Sequence, residues 1–374
     1  MYIEFSEEQN MLRDSADKYL RENYSFDGRQ VTVKSTDSFN KEQWQSFADL
    51  GWLAMTFKEE DGGFGGGALE TMLLCELFGK YLVLEPYLET VVLVGSLIEA
   101  SASEEIKKQY LAALISGDIQ GALAYLEPSN VTSAAHVETL AVPSDSGYSL
   151  SGKKTVVLNG AAADVILVTA RTSASTDEDD GISLFAVPAD AAGISMRKYK
   201  TYDGRGACEL TLDQVFVGAE TLVGPVNKAL PLLNKAIQRA TLGVSAEAVG
   251  AMEALLNATV EYTTQRKQFG QAISSFQVLR HRMADMFIEV ELCRSLLMAT
   301  AWKMDNSAAD TDKCVSALKA KIGKSASFVA NNAIQLHGGI GMTDELSVGH
   351  YFKRLAAIGV LFGSSDYHLA QYSE

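Results

Sequence analysis

From Ser6 to about Gly117, apolar residues recur at helical spacing. Met11, Leu12, Tyr19 and Leu20 are grouped on one predicted face, and Thr71 to Leu77 resumes the pattern after a glycine-rich break at Asp61 to Gly67. Between Asp118 and Gly224 the pattern changes to short apolar runs separated by turn residues. Tyr148 to Leu150, Thr155 to Leu158, Val165 to Ala170 and Ser183 to Val187 read as strands, with Ser151-Gly152 and Asp203-Gly204 as turns. After Pro225 the helical period returns, with Val249, Met252, Leu256 and Val260 about one turn apart and only Pro231 as a further proline. The chain is therefore expected to be α+β, with helical segments at 1–117 and 225–374 flanking a β segment at 118–224. Thr172 to Asp180 reads as a solvated loop, and no internal repeat or low-complexity tract is present.

Composition narrows the class. With 374 residues, 47% of them hydrophobic and 21% charged, the chain can bury a large core and divide into two or three domains. A formal charge of -15 argues against nucleic acid or an anionic membrane as partner, since both repel an acidic surface. Met1 to Asn23 is acidic and amphipathic, unlike a signal peptide, and apolar runs such as Val91 to Leu97 fall short of the roughly 20 residues of a membrane span. A soluble, cytoplasmic protein is expected. Cys75, Cys208, Cys293 and Cys314 form no CxxC pair, which predicts buried thiols in a reducing compartment, with neither a disulfide framework nor a metal site.

Several motifs, in order, resemble the acyl-CoA dehydrogenase family nearly end to end. They are Phe5-Ser6-Glu7-Glu8-Gln9, Gly51-Trp52-Leu53, Glu59 to Gly66, Leu150 to Lys154, Asn159-Gly160 and Ala163-Asp164. In the C-terminal half stand Arg266-Lys267-Gln268-Phe269-Gly270, Phe276-Gln277 and Gln335 to Thr343. The resemblance implies an N-terminal helical domain, a central β-barrel or sheet domain and a C-terminal domain like a four-helix bundle. It also implies FAD as cofactor, an acyl-CoA thioester as substrate and an electron-transfer flavoprotein as acceptor. Such chemistry needs a carboxylate base at the α-carbon, a flavin facing the β-carbon and donors polarising the thioester carbonyl.

By this resemblance Arg266, Phe269, Gln277, Gln335, Gly338 and Gly339 are the cofactor-binding candidates, donated across a subunit interface to a neighbour's FAD. A guanidinium suits a pyrophosphate, and paired glycines let backbone approach a phosphate closely. Taken singly, Arg266 and Gly338 would read as ordinary helix ends. His337, His281 and His136 read as packed or hydrogen-bonded residues rather than ligands.

Other family features are missing. The usual base position, set by Gly363-Ser364-Ser365-Asp366, holds Phe362, and the alternative position beside Arg239 holds Gln238. Neither side chain can take a proton. Leu126 stands where the family has a flavin-contacting threonine, Val156 to Leu158 replace the flavin-walling Trp-Ile-Thr, and Ala236 replaces an acidic CoA-binding residue. Losses on the chain's own flavin side beside retention of the donated side imply the base-deficient subunit of an α2β2 heterotetramer, completing the FAD site of a catalytic partner. His350 to Arg354 and Leu361-Phe362-Gly363 resemble the small-subunit type found in pimeloyl-CoA dehydrogenase, and medium-chain dicarboxylyl, branched and sterol side-chain thioesters all remain open. Two alternatives remain: an active homomer using a relocated base such as Asp366, and a non-catalytic acyl-CoA binder or scaffold.

Overall fold

Six helices open the chain: α1 (Glu7–Asn23), α2 (Phe26–Lys34), α3 (Lys41–Asp49), α4 (Ala68–Tyr81), α5 (Ser96–Glu99) and α6 (Glu104–Ile115), with a π-helix at Leu88–Gly95. The structure, a computed structural model, describes residues 4–101, 103–173 and 175–373. Seven strands follow: β1 (Gly121–Ala124), β2 (Leu140–Ser144), β3 (Gly147–Leu158), β4 (Val165–Arg171), β5 (Ile182–Pro188), β6 (Ile194–Lys200) and β7 (Gly206–Gly218). The C-terminal elements are α7 (Leu230–Gln265), a short hairpin of β8 (Lys267–Gln268) and β9 (Gln271–Ala272), α8 (Gln277–Asp305), α9 (Thr311–His337), α10 (Ser347–Ile358) and α11 (Ser365–Ser373). A helical N-terminal domain, a curled sheet domain and a helical C-terminal domain thus follow one another. No helix among the described residues is long and apolar enough to cross a membrane.

Spatially the chain divides into two units. One comprises the described residues of Met1–Val31, Gly67–Val83 and Thr241–Glu374; the other comprises Thr32–Gly66 and Leu84–Ala240.

In the helical unit, the Ser6-Glu7-Glu8-Gln9 motif is a capping box. Ser6 Oγ accepts from Gln9 N at 3.1 Å, and Gln9 Oε1 accepts from Ser6 N at 3.0 Å. Helix α1 buries Ala16 and Leu20, whereas Met11 is 72% exposed, contrary to the expected face. At about 100° per residue Met11 and Leu20 lie on opposite sides of a helix, so they could not share one. Helices α4 and α7 meet backbone to backbone: a Cβ on Gly79 would lie 1.9 Å from Glu247 O, and one on Gly250 would lie 1.8 Å from Glu76 O. Beside this crossing Arg354 Nη2 donates to Glu247 Oε2 at 2.6 Å, with both side chains buried.

The other unit is built on a mixed sheet in the order β1-β4-β2-β3-β7-β6, with β5 added on β4. Leu150, Val157, Ile166, Val168, Phe185 and Leu210 form part of its buried core. The Ser151-Gly152 pair does not make the expected turn. Strand β3 runs straight through it; the register shift here puts the extra residue on β7, where Gln214 takes φ +52°, and the absent Cβ of Gly152 admits residue 139, whose Oγ1 would lie only 2.5 Å away. Asp203-Gly204 does turn, with Gly204 at φ +92°. After β4, Arg171 Nη1 donates to Glu178 O at 2.8 Å and Asp180 O at 2.7 Å, so the exposed loop is pinned by one guanidinium. Cys75, Cys208 and Cys293 are buried as expected, but Cys314, in the exposed first turns of α9, is only partly covered.

Candidate functional site

In the helical unit, two motifs far apart in sequence come to one end. Helix α7 stops at Gln265 because the chain turns back at once in the β8–β9 hairpin, where Lys267 pairs with Ala272 and Gln268 with Gln271. Phe269 and Gly270 form the two-residue loop with φ of +54° and +82°, the positive pair a tight hairpin of this twist requires. The Arg266 segment is therefore a hairpin and not the plain helix terminus that its sequence alone suggested. Arg266 N donates to Tyr262 O at 2.8 Å and Arg266 O accepts from Ile273 N at 2.9 Å, which ties both hairpin ends. Its guanidinium is exposed, and Phe269 at the tip is 92% exposed. Gln277, first residue of α8, is exposed as well.

Helix α9 ends at His337, capped by Gly338 at φ +64° and ψ -144°, a conformation essentially restricted to glycine. The His337 ring stacks on Tyr262 with centroids 4.5 Å apart, joining the end of α9 to the last turn of α7. Its Nδ1–H donates to Ala333 O at 2.8 Å, and burial holds the imidazole below its usual range, so it is a neutral packing residue. Added Cβ atoms on Gly338, Gly339 or Gly270 would meet nothing within 4 Å. The chain's own packing does not require glycine at Gly339, so its small size leaves room for something outside the chain. Gln335 is exposed on the same last turn. An exposed guanidinium, a projecting aromatic and a backbone stripped of Cβ atoms fit a pyrophosphate-bearing ligand such as FAD, with the Arg266 charge set against the negative dipole ends of α7 and α9.

In the sheet unit, Leu126 O accepts from Thr155 N at 2.9 Å, which sets Leu126 against β3 at the residue before Val156. Glu127 anchors this junction. Lys154 Nζ donates to its Oε1 at 2.6 Å, and Glu138 N and Thr139 N donate at 2.7 and 3.0 Å. Burial pushes the Glu127 carboxyl up, but these partners outweigh it and hold it below the usual carboxylate range. From Lys154 to Val157, β3 advances three residues while β7 advances two, and the bulged Val156 takes φ +49°. A β-branched residue with positive φ is strained, and such bulges are over-represented next to active sites. Val156 is 36% exposed and can offer only methyl groups there. Asn159 is buried, its Nδ2 donating to Gln120 Oε1 and Gly121 O at 3.2 Å each.

Position 362 lies in a tight turn of the helical unit, with Phe362 at φ +56° and Gly363 at φ +109°. Two buried side chains grip its carbonyls. Lys319 Nζ donates to Gly363 O at 2.8 Å, and His368 Nε2 donates to Phe362 O at 2.9 Å. Burial pulls the Lys319 ammonium down to about 8, and burial also lowers His368, keeping it neutral. Ser316, Lys319 and Gly323 lie on one face of α9 and all meet this segment: Ser316 Oγ is 3.4 Å from His368 Nδ1, and a Cβ on Gly323 would lie 2.2 Å from Ser365 Oγ. Lys319 and His368 escaped sequence reading. The available signal was a lysine on an otherwise apolar helix face. Asp366 is exposed in the first turn of α11. In the other unit Gln238 is half-buried on α7 and Ala236 is buried. His281 is an exposed α8 residue, and His136 Nδ1 lies 2.6 Å from Asp177.

Comparison with known proteins gives three family matches: the acyl-CoA dehydrogenase N-terminal domain over residues 6–118, middle domain over 122–215 and C-terminal domain over 230–374. The probable acyl-CoA dehydrogenase YngJ of Bacillus subtilis is 30% identical over 373 residues, which span 98% of this chain and 97% of that protein. Among solved structures, the FAD complex of PigA superposes with a TM-score of 0.93 at 25% identity, covering 100% of this chain and 98% of its own. One chain of the ChsE4-ChsE5 complex from Mycobacterium tuberculosis superposes with a TM-score of 0.90 at 26% identity, with coverage of 100% and 98%.

Proposed function

Because the chain belongs to the acyl-CoA dehydrogenase family of FAD-dependent oxidoreductases, we propose that it serves as the base-deficient subunit of a heteromeric dehydrogenase. Paired with a catalytically equipped subunit in an α2β2 assembly, it completes that partner's FAD site for α,β-desaturation of an acyl-CoA. Electron-transfer flavoprotein is then the acceptor. FAD supplies the hydride sink for such chemistry. In this chain Arg266 would pair with the pyrophosphate, Phe269 would lie against the adenine, and Gln335 with the Gly338-Gly339 backbone would approach from the facing side.

What supports the proposal is a contrast between two sets of residues. The donated set is presented to solvent, with open space at Gly338 and Gly339, while position 362 carries a phenyl ring and positions 126, 156 and 158 carry the aliphatic Leu126, Val156 and Leu158. A proton-abstracting chain needs a carboxylate at the turn, and a flavin ring needs polar partners on the strands. The ChsE4-ChsE5 complex, whose chain shares this fold, adds support for a two-component assembly.

The deciding experiment is purification alone and with the candidate catalytic subunit, followed by flavin absorbance and acyl-CoA dehydrogenase assays. The chain alone is expected to be nearly colourless and inactive, and the complex yellow and active. Stoichiometric FAD and turnover in the isolated chain would overturn the proposal in favour of a homomer with a relocated base such as Asp366. Absence of flavin from both preparations would favour a scaffold or acyl-CoA binder.

A further inference from the structure

The two stretches that face outward together, the Arg266 hairpin and the Gly338-Gly339 backbone, come from different helices. Among the described residues no hydrogen bond or ion pair runs from 258–272 to 333–343. They meet through the rings of Tyr262 and His337, stacked with centroids 4.5 Å apart and planes 23° from parallel.

Each ring stands next to one of the outward-facing groups. Arg266 N closes a helical bond onto Tyr262 O at 2.8 Å, so Arg266 lies one turn beyond Tyr262 on the same face of α7. His337 directly precedes Gly338, and the turn that follows folds back over it, since a Cβ on Gly341 would lie 2.9 Å from His337 Cβ. The His337 ring is itself held, with Nδ1–H donating to Ala333 O at 2.8 Å and the residue buried.

The β8–β9 hairpin has only two paired residues in each strand and an exposed tip, too little structure to fix its own direction. That direction is inherited from the last turn of α7, and the ring pair fixes this turn against the end of α9. Stacked rings have a preferred geometry, whereas a purely aliphatic contact is non-directional. The neighbouring Thr263 Oγ1 donates to Met283 Sδ at 3.3 Å, which seats the same turn on α8. Loss of the ring pair should therefore let the two ends shift without unfolding either helix.

We propose that Tyr262 and His337 are positioning residues for cofactor binding, a role that rests on the donated half-site proposed above. Their stack sets the span between the Arg266 guanidinium and the Gly338-Gly339 backbone, so that both reach one pyrophosphate. Tyr262 acts through Arg266, and His337 acts through Gly338. Groups that recognise a ligand by geometry need placement to within about 0.5 Å, which a two-residue hairpin without this brace does not hold.

Titration of FAD into deflavinated complexes with the catalytic partner tests the role, with thermal midpoint and subunit association measured alongside. His337→Ala removes the stack and is expected to weaken FAD about tenfold, while His337→Phe keeps a ring and is expected to stay within about twofold of wild type. Coupling to Arg266 separates positioning from packing. Arg266→Ala is expected to weaken FAD about tenfold or more in the wild-type complex but less than about threefold once His337 is alanine, because a guanidinium already out of place has little left to lose. Tyr262 is half-buried, so Tyr262→Leu should assemble even if His337→Ala does not, and it should show the same weakening and the same coupling. An FAD Kd unchanged in either folded variant, or a full Arg266→Ala loss in its background, would reduce the ring pair to packing and leave the half-site standing. A silent Arg266→Ala in the wild-type complex would overturn the half-site and the positioning role together.

Discussion

Replacing Arg266 by alanine separates a cofactor contact from a purely structural place at the base of the β8–β9 hairpin. Among the described residues its exposed guanidinium makes no hydrogen bond or ion pair, and the two hydrogen bonds that tie the hairpin, to Tyr262 O and from Ile273 N, belong to its backbone. Alanine keeps both. The fold should therefore lose less than about 0.5 kcal/mol, the usual range for an exposed substitution. If the guanidinium meets a pyrophosphate in the assembled enzyme, the loss in binding is about 1.5–3 kcal/mol, or about ten- to hundredfold in Kd. Lysine should restore only part of this, because it keeps the charge but not the planar fork. The assay is titration of FAD into deflavinated wild-type, Arg266→Ala and Arg266→Lys complexes, with subunit association and thermal midpoint followed in parallel. An unchanged Kd in Arg266→Ala would refute the assignment, and loss of association would show that the hairpin serves assembly rather than the cofactor.

Phe362→Glu by itself should produce no turnover with an artificial electron acceptor, since Leu126, Val156 and Leu158 still offer a flavin ring no polar partner; measurable activity in that single variant would show that these positions matter less than argued. Glu247→Gln should destabilise the chain by about 3–5 kcal/mol in chemical denaturation, because it leaves the buried Arg354 guanidinium without this carboxylate, whereas an effect below about 1 kcal/mol would mean water or other groups compensate. Lys319 should make stability rise with pH. Its folded value of about 8 lies below the ordinary 10.5, so between these values the unfolded chain binds more protons, and raising pH through that window favours the folded state. Because buried Lys154 is also held down to about 8, Lys319→Met should reduce this slope rather than abolish it in denaturation measured from pH 7.5 to 10.5, and an unaltered slope would place its whole origin at Lys154 or another group.

Much of the architecture was legible because it is written in local periodicity. Spacing near 3.6 and short apolar runs between turn residues distinguish helix from strand without reference to any partner, so the helix, sheet, helix order follows from the chain alone. The Ser6 capping box and the glycine end of α9 are likewise local, each completed within a few residues. The absence of a carboxylate at Phe362 and Gln238 is a matter of residue identity that no folding can alter.

Tertiary structure decided what each of those elements meets. Ser151-Gly152 carries a turn signature, yet β3 continues through it, and glycine there makes room for residue 139, which approaches too closely for a Cβ. Lys319 and His368 are distant in sequence from each other, and their grip on consecutive carbonyls exists only because α9 packs against the turn before α11. The Tyr262 and His337 rings likewise bring together two motifs separated by a whole helix. The sequence by itself determined the elements and their order, which depend on neighbours along the chain, and the absence of a carboxylate at positions 362 and 238, which is residue identity. Which carbonyl a buried lysine holds, or how many carboxylates gather around Arg294, depends on neighbours across space, which only the packed chain specifies.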